Sequence, residues 1–283
     1  MDGWLNWREI EKNNDWGIRD KDDATAAMWG KGADGWEERT RLEDDFNRRQ
    51  VEALGLLPTD RVLDLCCGTG PLTRWIAPRV KQVTACDFSE SMLDYVREKA
   101  KRLDLANVDF LQGNFYTMEP GKDAPLFDVA VTRHSPAQGD ILRFSRWATR
   151  RCYSLCMIYP ATGVRGRQTS LFIKSAADNN GQINCAARPD GRLYGVNVHF
   201  NLLYDMGADP ELNYVTNEVK FSAATPEELF RKRMRNKPCS QEECDRWLRS
   251  NGPRLQQTEE GWTYSEVQKM AVLSWDPGEI VAE

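Results

Sequence analysis

Three stretches and one lone acidic residue in this chain have types and spacing suited to a polar, partly cationic small molecule. The first stretch is Asp64-Leu65-Cys66-Cys67-Gly68-Thr69-Gly70. A carboxylate ending an apolar run suits an ammonium group, and Gly68 and Gly70 let backbone approach a ligand closely. A helix opening at Pro71 would add bare backbone N–H groups and the positive end of a dipole. The lone residue is Asp87, 23 residues after Asp64, placed at a strand end to accept both hydroxyls of a ribose, with Phe88 beside it to stack near a base. Gly113-Asn114-Phe115 offers an amide with both a donor and an acceptor, although Gly-Asn alone is an ordinary turn signal. Thr132-Arg133-His134-Ser135-Pro136 follows another apolar run, where ligands of open α/β sheets bind. His134 is one of only two histidines and could act as base or orienter near neutral pH, or simply bond to backbone; Arg133 could hold an acidic substrate.

These residues need a sheet beneath them. Val62–Leu65, Gln82–Cys86, Val108–Leu111, Phe127–Val131 and Cys152–Ile158 read as strands. Helices are expected over Pro71–Ala77, from an N-cap at Ser89 to Arg102 with Met92, Leu93 and Val96 on one face, and over Asp140–Thr149. Strands alternating with helices imply a parallel sheet with right-handed crossovers. Residues 160–190 are polar and break the rhythm, which predicts an insertion or mobile cover. Helix Leu193–Met206 and strand Tyr214–Phe221 follow. Thr225-Pro226 opens one more helix, Ser240 with Glu243 forms a capping box for another, and strand Lys269–Trp275 comes last.

Residues 1–58 are expected to form a helical N-terminal cover or lid, and residues 59–283 the cofactor-binding domain. The cover holds Trp4, Trp7, Trp16, Trp29 and Trp36, half of the ten tryptophans, and these rings must dock somewhere. Either they pack on the outside of the main domain, or Trp29 and Trp36 help wall a substrate pocket. Arg41–Leu54 reads as one continuous helix. His199, with Tyr194, Asn197, Asn201 and Tyr204 at helical spacings, could line the pocket or belong to an ordinary half-exposed helix.

Composition limits the function classes. At 283 residues and 41% hydrophobic the chain can bury a full core. Its net charge of −5 argues against a general nucleic-acid binder, and the basic runs Arg150-Arg151 and Arg231 to Lys237 read as solvated faces. No run of about 18 apolar residues suggests a membrane span. Met1-Asp2-Gly3-Trp4 lacks the basic-then-apolar order of a secretion signal, so a cytoplasmic protein is expected. Eight cysteines without a CxxC pair, and only two histidines, predict reduced thiols and no metal site.

Residues 61–158 resemble the class I S-adenosylmethionine-dependent methyltransferases of small-molecule type. The family's first motif runs strand-Asp-x-Gly-x-Gly-x-Gly, and here Cys66 replaces the first glycine, as in quinone-biosynthesis members that share Leu-Cys-Cys-Gly-Thr-Gly. The resemblance implies S-adenosyl-L-methionine as methyl donor and S-adenosyl-L-homocysteine as product. It places Asp64, Cys66, Gly68, Thr69 and Gly70 at the methionine part and its amino group, and Asp87, Phe88 and Met92 at the adenosine. It gives Asn114 the adenine amine, Phe115 the ring, and sets Arg133 and His134 beside the transferred methyl, Arg133 also touching the cofactor. The implied fold is a Rossmann-like, doubly wound sheet of seven mostly parallel strands with an antiparallel last strand. A nicotinamide dehydrogenase would need glycine where Thr73 stands. Readings left open are a cofactor-binding sensor or pseudo-enzyme, a methyltransferase acting on RNA or protein, and aminopropyl transfer of the polyamine-synthase type. The acceptor atom and the oligomeric state are not legible.

Overall fold

The computed structural model describes residues 6–13, 23–158, 196–234 and 238–281. Trp4, Trp16, Tyr194, the 160–190 segment and residues 235–237 of the basic run lie outside them. The chain divides into two compact units, Met1–Val215 with Met270–Glu283, and Thr216–Lys269. The described residues before β1 fall in the same unit as the first strands.

The first unit opens with α1 (Trp7–Asn13), α2 (Asp23–Lys31), α3 (Ala33–Leu42) and α4 (Asp44–Glu52). β1 (Arg61–Leu65), α5 (Thr73–Ile76), β2 (Gln82–Asp87), α6 (Glu90–Arg102), β3 (Val108–Gln112), β4 (Phe127–Arg133), α7 (Ile141–Ser145) and β5 (Ala148–Ile158) then alternate, and α8 (Val196–Asp205) follows. β6 (Glu211–Ala223) leads into the second unit, with α9 (Pro226–Arg233), α10 (Gln241–Asn251) and β7 (Leu255–Thr258), and β8 (Gly261–Trp275) returns.

The sheet runs β3-β2-β1-β4-β5-β8-β6, with β7 added beside β8. It therefore has eight strands where seven were expected; the extra one is a short partner antiparallel to β8. β1 pairs parallel to both β2 and β4, with Asp64 opposite Ala85 on one side and Val131 on the other. The order reverses there, which opens a crevice beyond the strand ends. Alternation along β1 sends Leu63 and Leu65 to one face with Ala130, Phe144, Trp147 and Trp275, and Val62 to the other with Val83, Val129, Leu93 and Ile76. Both faces are buried, as a parallel sheet requires.

Several expected helices are shorter. Arg41–Leu54 is two helices, because the chain breaks at Glu43 and turns its buried carboxylate toward Arg133. Pro71–Ala77 reduces to the single turn Thr73–Ile76 before a 3-10 turn containing Pro78, which has no N–H to continue an α-helix. The helix expected to Thr149 ends at Ser145, since Ala148 already pairs with Phe127 in the sheet. Ser89 stands at the N-cap of α6, but its side chain makes no capping bond. In the second unit Thr225 and Ser240 cap as expected, their hydroxyls each accepting an N–H at 3.2 Å. Its small core joins Ala223, Leu229 and Tyr264 with Trp247 and Trp262.

Candidate functional site

Beyond Leu65 the chain adopts left-handed backbone at Cys66 (φ 57°), Gly68 (φ 55°) and Gly70 (φ 74°). Cys66, at the position where the motif usually has glycine, accepts a conformation that costs an L-residue about 1–2 kcal/mol. Gly70 has a second constraint, because a Cβ there would lie 3.0 and 3.1 Å from the Val96 methyls. Gly121 offers a comparison, with φ 79° and open space around it. Gly121→Ala should cost about 1 kcal/mol and Gly70→Ala about 3 kcal/mol, since only the second adds overpacking. Equal shifts in denaturant midpoint would contradict the close approach at Gly70.

The turn is tied to both carboxylates. Asp64 Oδ2 accepts the Thr73 hydroxyl at 2.5 Å. Asp87 accepts the Gly68 N–H at 2.9 Å on one oxygen and the Ser89 N–H at 3.0 Å on the other. The expected helix dipole matters less than its N–H groups, because α5 is a single turn. Burial lifts the Asp64 carboxyl to about 6, opposed by the Thr73 hydroxyl and reinforced by Asp87. Burial likewise lifts Asp87 to about 6 against the N–H groups of Ser89, Gly68 and Phe88. Two buried acids in one crevice are thus short of positive charge and donors. A ligand bringing an ammonium and hydroxyls would relieve both.

The next strand ends complete the crevice. At Gly113 a side chain has no room, the Met118 sulfur lying 1.9 Å from where a Cβ would be. Asn114 Oδ1 accepts the Tyr116 N–H at 3.0 Å, and Phe115 is buried edge-on to Tyr116. After β4, Arg133 Nη2 donates to Glu43 at 3.1 Å, both side chains being buried. His134 takes φ 50°, and its Nε2 is buried with no partner among the described residues. Burial, then the guanidiniums of Arg133 and Arg39, push its imidazole well below the usual histidine range. Thr132 and Ser135 hydroxyls bond to one another, and Thr132 donates onward to the Leu65 carbonyl at 3.2 Å.

The N-terminal helices close over this crevice. Trp29 and Trp36 meet edge-on at 6.2 Å, and the Trp36 indole nitrogen lies 3.1 Å from where a Gly68 Cβ would project. Lys99 of α6, itself buried, pairs with Glu37 of α3 and donates to the Thr69 carbonyl at 2.7 Å.

The result is a partly enclosed cleft beyond the ends of β1, β2 and β4. Asp64, Cys66, Gly68, Asp87, Phe88, Met92, Asn114, Phe115, Arg133, His134, Trp29 and Trp36 all line it. Thr69 and Gly70 do not; they brace the turn from behind. His199 and Tyr204 are also not on its wall. His199 is buried, bonded to the Gln138 backbone and lowered to about 4 by burial, and Tyr204 is 65% exposed. Thr25, Leu72 and Tyr116 line the cleft without having been expected. Tyr116 is an aromatic directly after the Asn114-Phe115 pair, a signal that was available; Thr25 carries none. Among the described residues no cluster of His, Cys, Asp and Glu is arranged to hold a metal ion.

Residues 62–149 match the family described as a methyltransferase domain. A demethylmenaquinone methyltransferase of Lactococcus lactis is 36% identical over 95 residues, 32% of this chain and 36% of that protein. One of Listeria welshimeri is 46% identical over 77 residues, 26% of this chain and 33% of that protein. A 23S rRNA (uracil(1939)-C(5))-methyltransferase of Klebsiella pneumoniae is 34% identical over 143 residues, 46% of this chain and 32% of that protein. The chain thus spans about a third of the length of these relatives. The solved YcgJ protein of Bacillus subtilis shares the fold at a TM-score of 0.51 and 13% identity, covering 80% of this chain and 95% of that one.

Proposed function

We propose that this chain, whose residues 62–149 match a methyltransferase-domain family, is a class I S-adenosylmethionine-dependent methyltransferase that transfers a methyl group from S-adenosyl-L-methionine to a small-molecule acceptor. The observation that carries this reading is the pair of buried, proton-hungry carboxylates, Asp64 and Asp87, on either side of a left-handed glycine turn. Their demand for an ammonium and for hydroxyl donors matches that donor's two polar ends. Asp64 would take the amino group and Asp87 the ribose, with Phe88, Met92, Asn114 and Phe115 around the base and Cys66 and Gly68 supplying close backbone.

When bound, the donor supplies a methyl carbon activated by sulfonium sulfur. The protein's own part is to hold an acceptor in contact and to keep water out. Trp29, Trp36 and His134 stand on the wall left over for that acceptor. Burial and the guanidiniums of Arg133 and Arg39 make His134 a poor proton acceptor, which fits an orienting hydrogen bond better than proton abstraction. His134→Ala should lower turnover while leaving affinity for S-adenosyl-L-homocysteine nearly unchanged. The demethylmenaquinone methyltransferases named above support a small-molecule acceptor. The unpaired Cys66, Cys67 and Cys86 support a reducing, cytoplasmic setting.

Conversion of S-adenosyl-L-methionine to S-adenosyl-L-homocysteine, followed across a panel of small molecules and RNA, tests the reading. Turnover with a small molecule supports it, and turnover with RNA alone refutes the substrate class. Binding without turnover on any acceptor would favour a cofactor-binding sensor.

Affinity for the product should also depend on pH in a specified direction. A carboxylate raised to about 6 in the folded protein is protonated below that pH and loses its attraction for an ammonium. Binding should therefore be flat above neutrality and fall by up to about tenfold per pH unit per group below about 6. Ordinary aspartates, at the reference value of 3.8, would hold affinity well below that. Unchanged calorimetric affinity through this window would contradict the assignment.

A further inference from the structure

Two residues that line the cleft each carry a buried side-chain nitrogen with no hydrogen-bond partner among the described residues: Arg133 Nε and His134 Nε2. They belong to consecutive residues of the wall beyond β4. Buried polar atoms left unmet cost free energy, and a ligand group is one means of meeting them. Glu43 answers Arg133 through Nη2 and leaves Nε unmet. The His134 ring lies in the field of two guanidiniums, those of Arg133 and Arg39, which together with burial keep it neutral. Its left-handed backbone is the kind of strain that clusters at ligand sites.

Of the groups in the same cleft that could take a proton, His134 is held neutral by burial and two guanidiniums, and Asp64 and Asp87 are the groups assigned above to the donor. Asp64 holds Thr73, Asp87 holds Gly68 and Ser89, and the Tyr116 hydroxyl donates to the Pro136 carbonyl at 3.0 Å. Burial pushes the Cys66 and Cys67 thiols up, away from thiolate. An amine or alkyl alcohol that must shed a proton during transfer finds no ready base. An acceptor that is already ionised needs none.

We propose that the acceptor is an acidic oxygen compound, a phenol or enol, bound as its anion against Arg133 Nε and His134 Nε2. This rests on the methyl-transfer reading above. The step then balances without a base. The anion's electron pair forms the new bond to the methyl carbon while the methyl–sulfur bond breaks, its pair staying on sulfur. The acceptor's negative charge cancels the sulfonium's positive one, and the proton has already gone to solvent.

The test is a binding measurement on the full chain saturated with S-adenosyl-L-homocysteine. The probes are 4-nitrophenol above its own pKa, its methyl ether 4-nitroanisole, and the cation 4-nitrobenzylamine. The phenolate should bind at least about tenfold tighter than either, as hydrogen bonds to a charged group allow. His134→Leu should erase most of that preference while affinity for S-adenosyl-L-homocysteine holds, and the charge-preserving Arg133→Lys should erase it as well. Equal binding of the three probes, tighter binding of the amine, or no phenolate binding at millimolar concentration overturns the inference. So does a pair of variants that weaken S-adenosyl-L-homocysteine and leave the preference intact, since the two nitrogens would then serve the donor's own carboxylate. Failure of the unaltered protein to bind S-adenosyl-L-homocysteine is a separate outcome, which defeats the methyl-transfer reading itself.

Discussion

Asp87→Ala is expected to weaken binding of S-adenosyl-L-homocysteine by about 100-fold or more while the protein remains folded. The side chain is buried, and each oxygen already accepts one backbone N–H, from Gly68 and from Ser89. The residue lines the cleft, and its remaining lone pairs are those a ribose would use. Two hydrogen bonds to a charged acceptor contribute about 3–6 kcal/mol between them, which corresponds to a loss of at least about 100-fold. Stability should change less than affinity, because the substitution strands two amides but also removes an unpaired buried charge. Asp87→Asn keeps one acceptor and should lose less than Asp87→Ala. Titration calorimetry beside a denaturation curve separates the two quantities, and unaltered affinity in the alanine variant would remove Asp87 from the site.

The largest expected effect on stability is at Arg133. Its guanidinium and the Glu43 carboxylate are both buried and meet at 3.1 Å, while Arg39 approaches Glu43 less closely, at 3.5 Å. Arg133→Met would leave Glu43 buried with the weaker partner, and breaking such a pair typically costs about 3–5 kcal/mol. Removing both charges with Arg133→Met and Glu43→Leu should recover much of that, since a well-packed apolar pair of similar volume is often as stable. A double-mutant cycle in chemical denaturation measures the coupling. Additive costs would mean that the pair contributes nothing beyond its separate side chains.

The alternating strands and helices were legible because a parallel sheet buries both faces and its strands stand out as apolar runs between caps. Thr225 and Ser240 were legible for a different reason: capping chemistry is local, so four consecutive residues suffice. Glu43 shows where local reading ends. Nothing near it in sequence says that its carboxylate will find Arg133, 90 residues away, and break a helix that would otherwise run on. The short β7 was missed because a four-residue polar strand, Leu-Gln-Gln-Thr, has little hydrophobic signal and depends on β8 for its pairing.

The cleft divides in the same way. Asp64, Gly68 and Asp87 could be placed from sequence because a strand end fixes where its last side chain lies. The covering residues could not be placed in that way, since Thr25 and Trp36 reach the cleft only through the packing of α2 and α3 above it. Thr73 does more than stand where a dehydrogenase needs glycine: its hydroxyl bonds to Asp64 at 2.5 Å. His199 shows the converse. A histidine on an apparently polar helix face is buried beside the Gln138 backbone, because the face it lies on packs inward.

The most direct test of the central claim is a crystal structure of the full chain grown with S-adenosyl-L-homocysteine. The ligand should lie in the cleft beyond β1 and β2, with its ribose hydroxyls on Asp87, its amino group on Asp64, and its sulfur facing the side that holds His134 and Trp36. A ligand bound elsewhere, or lying in the cleft with its ribose away from Asp87, would contradict it.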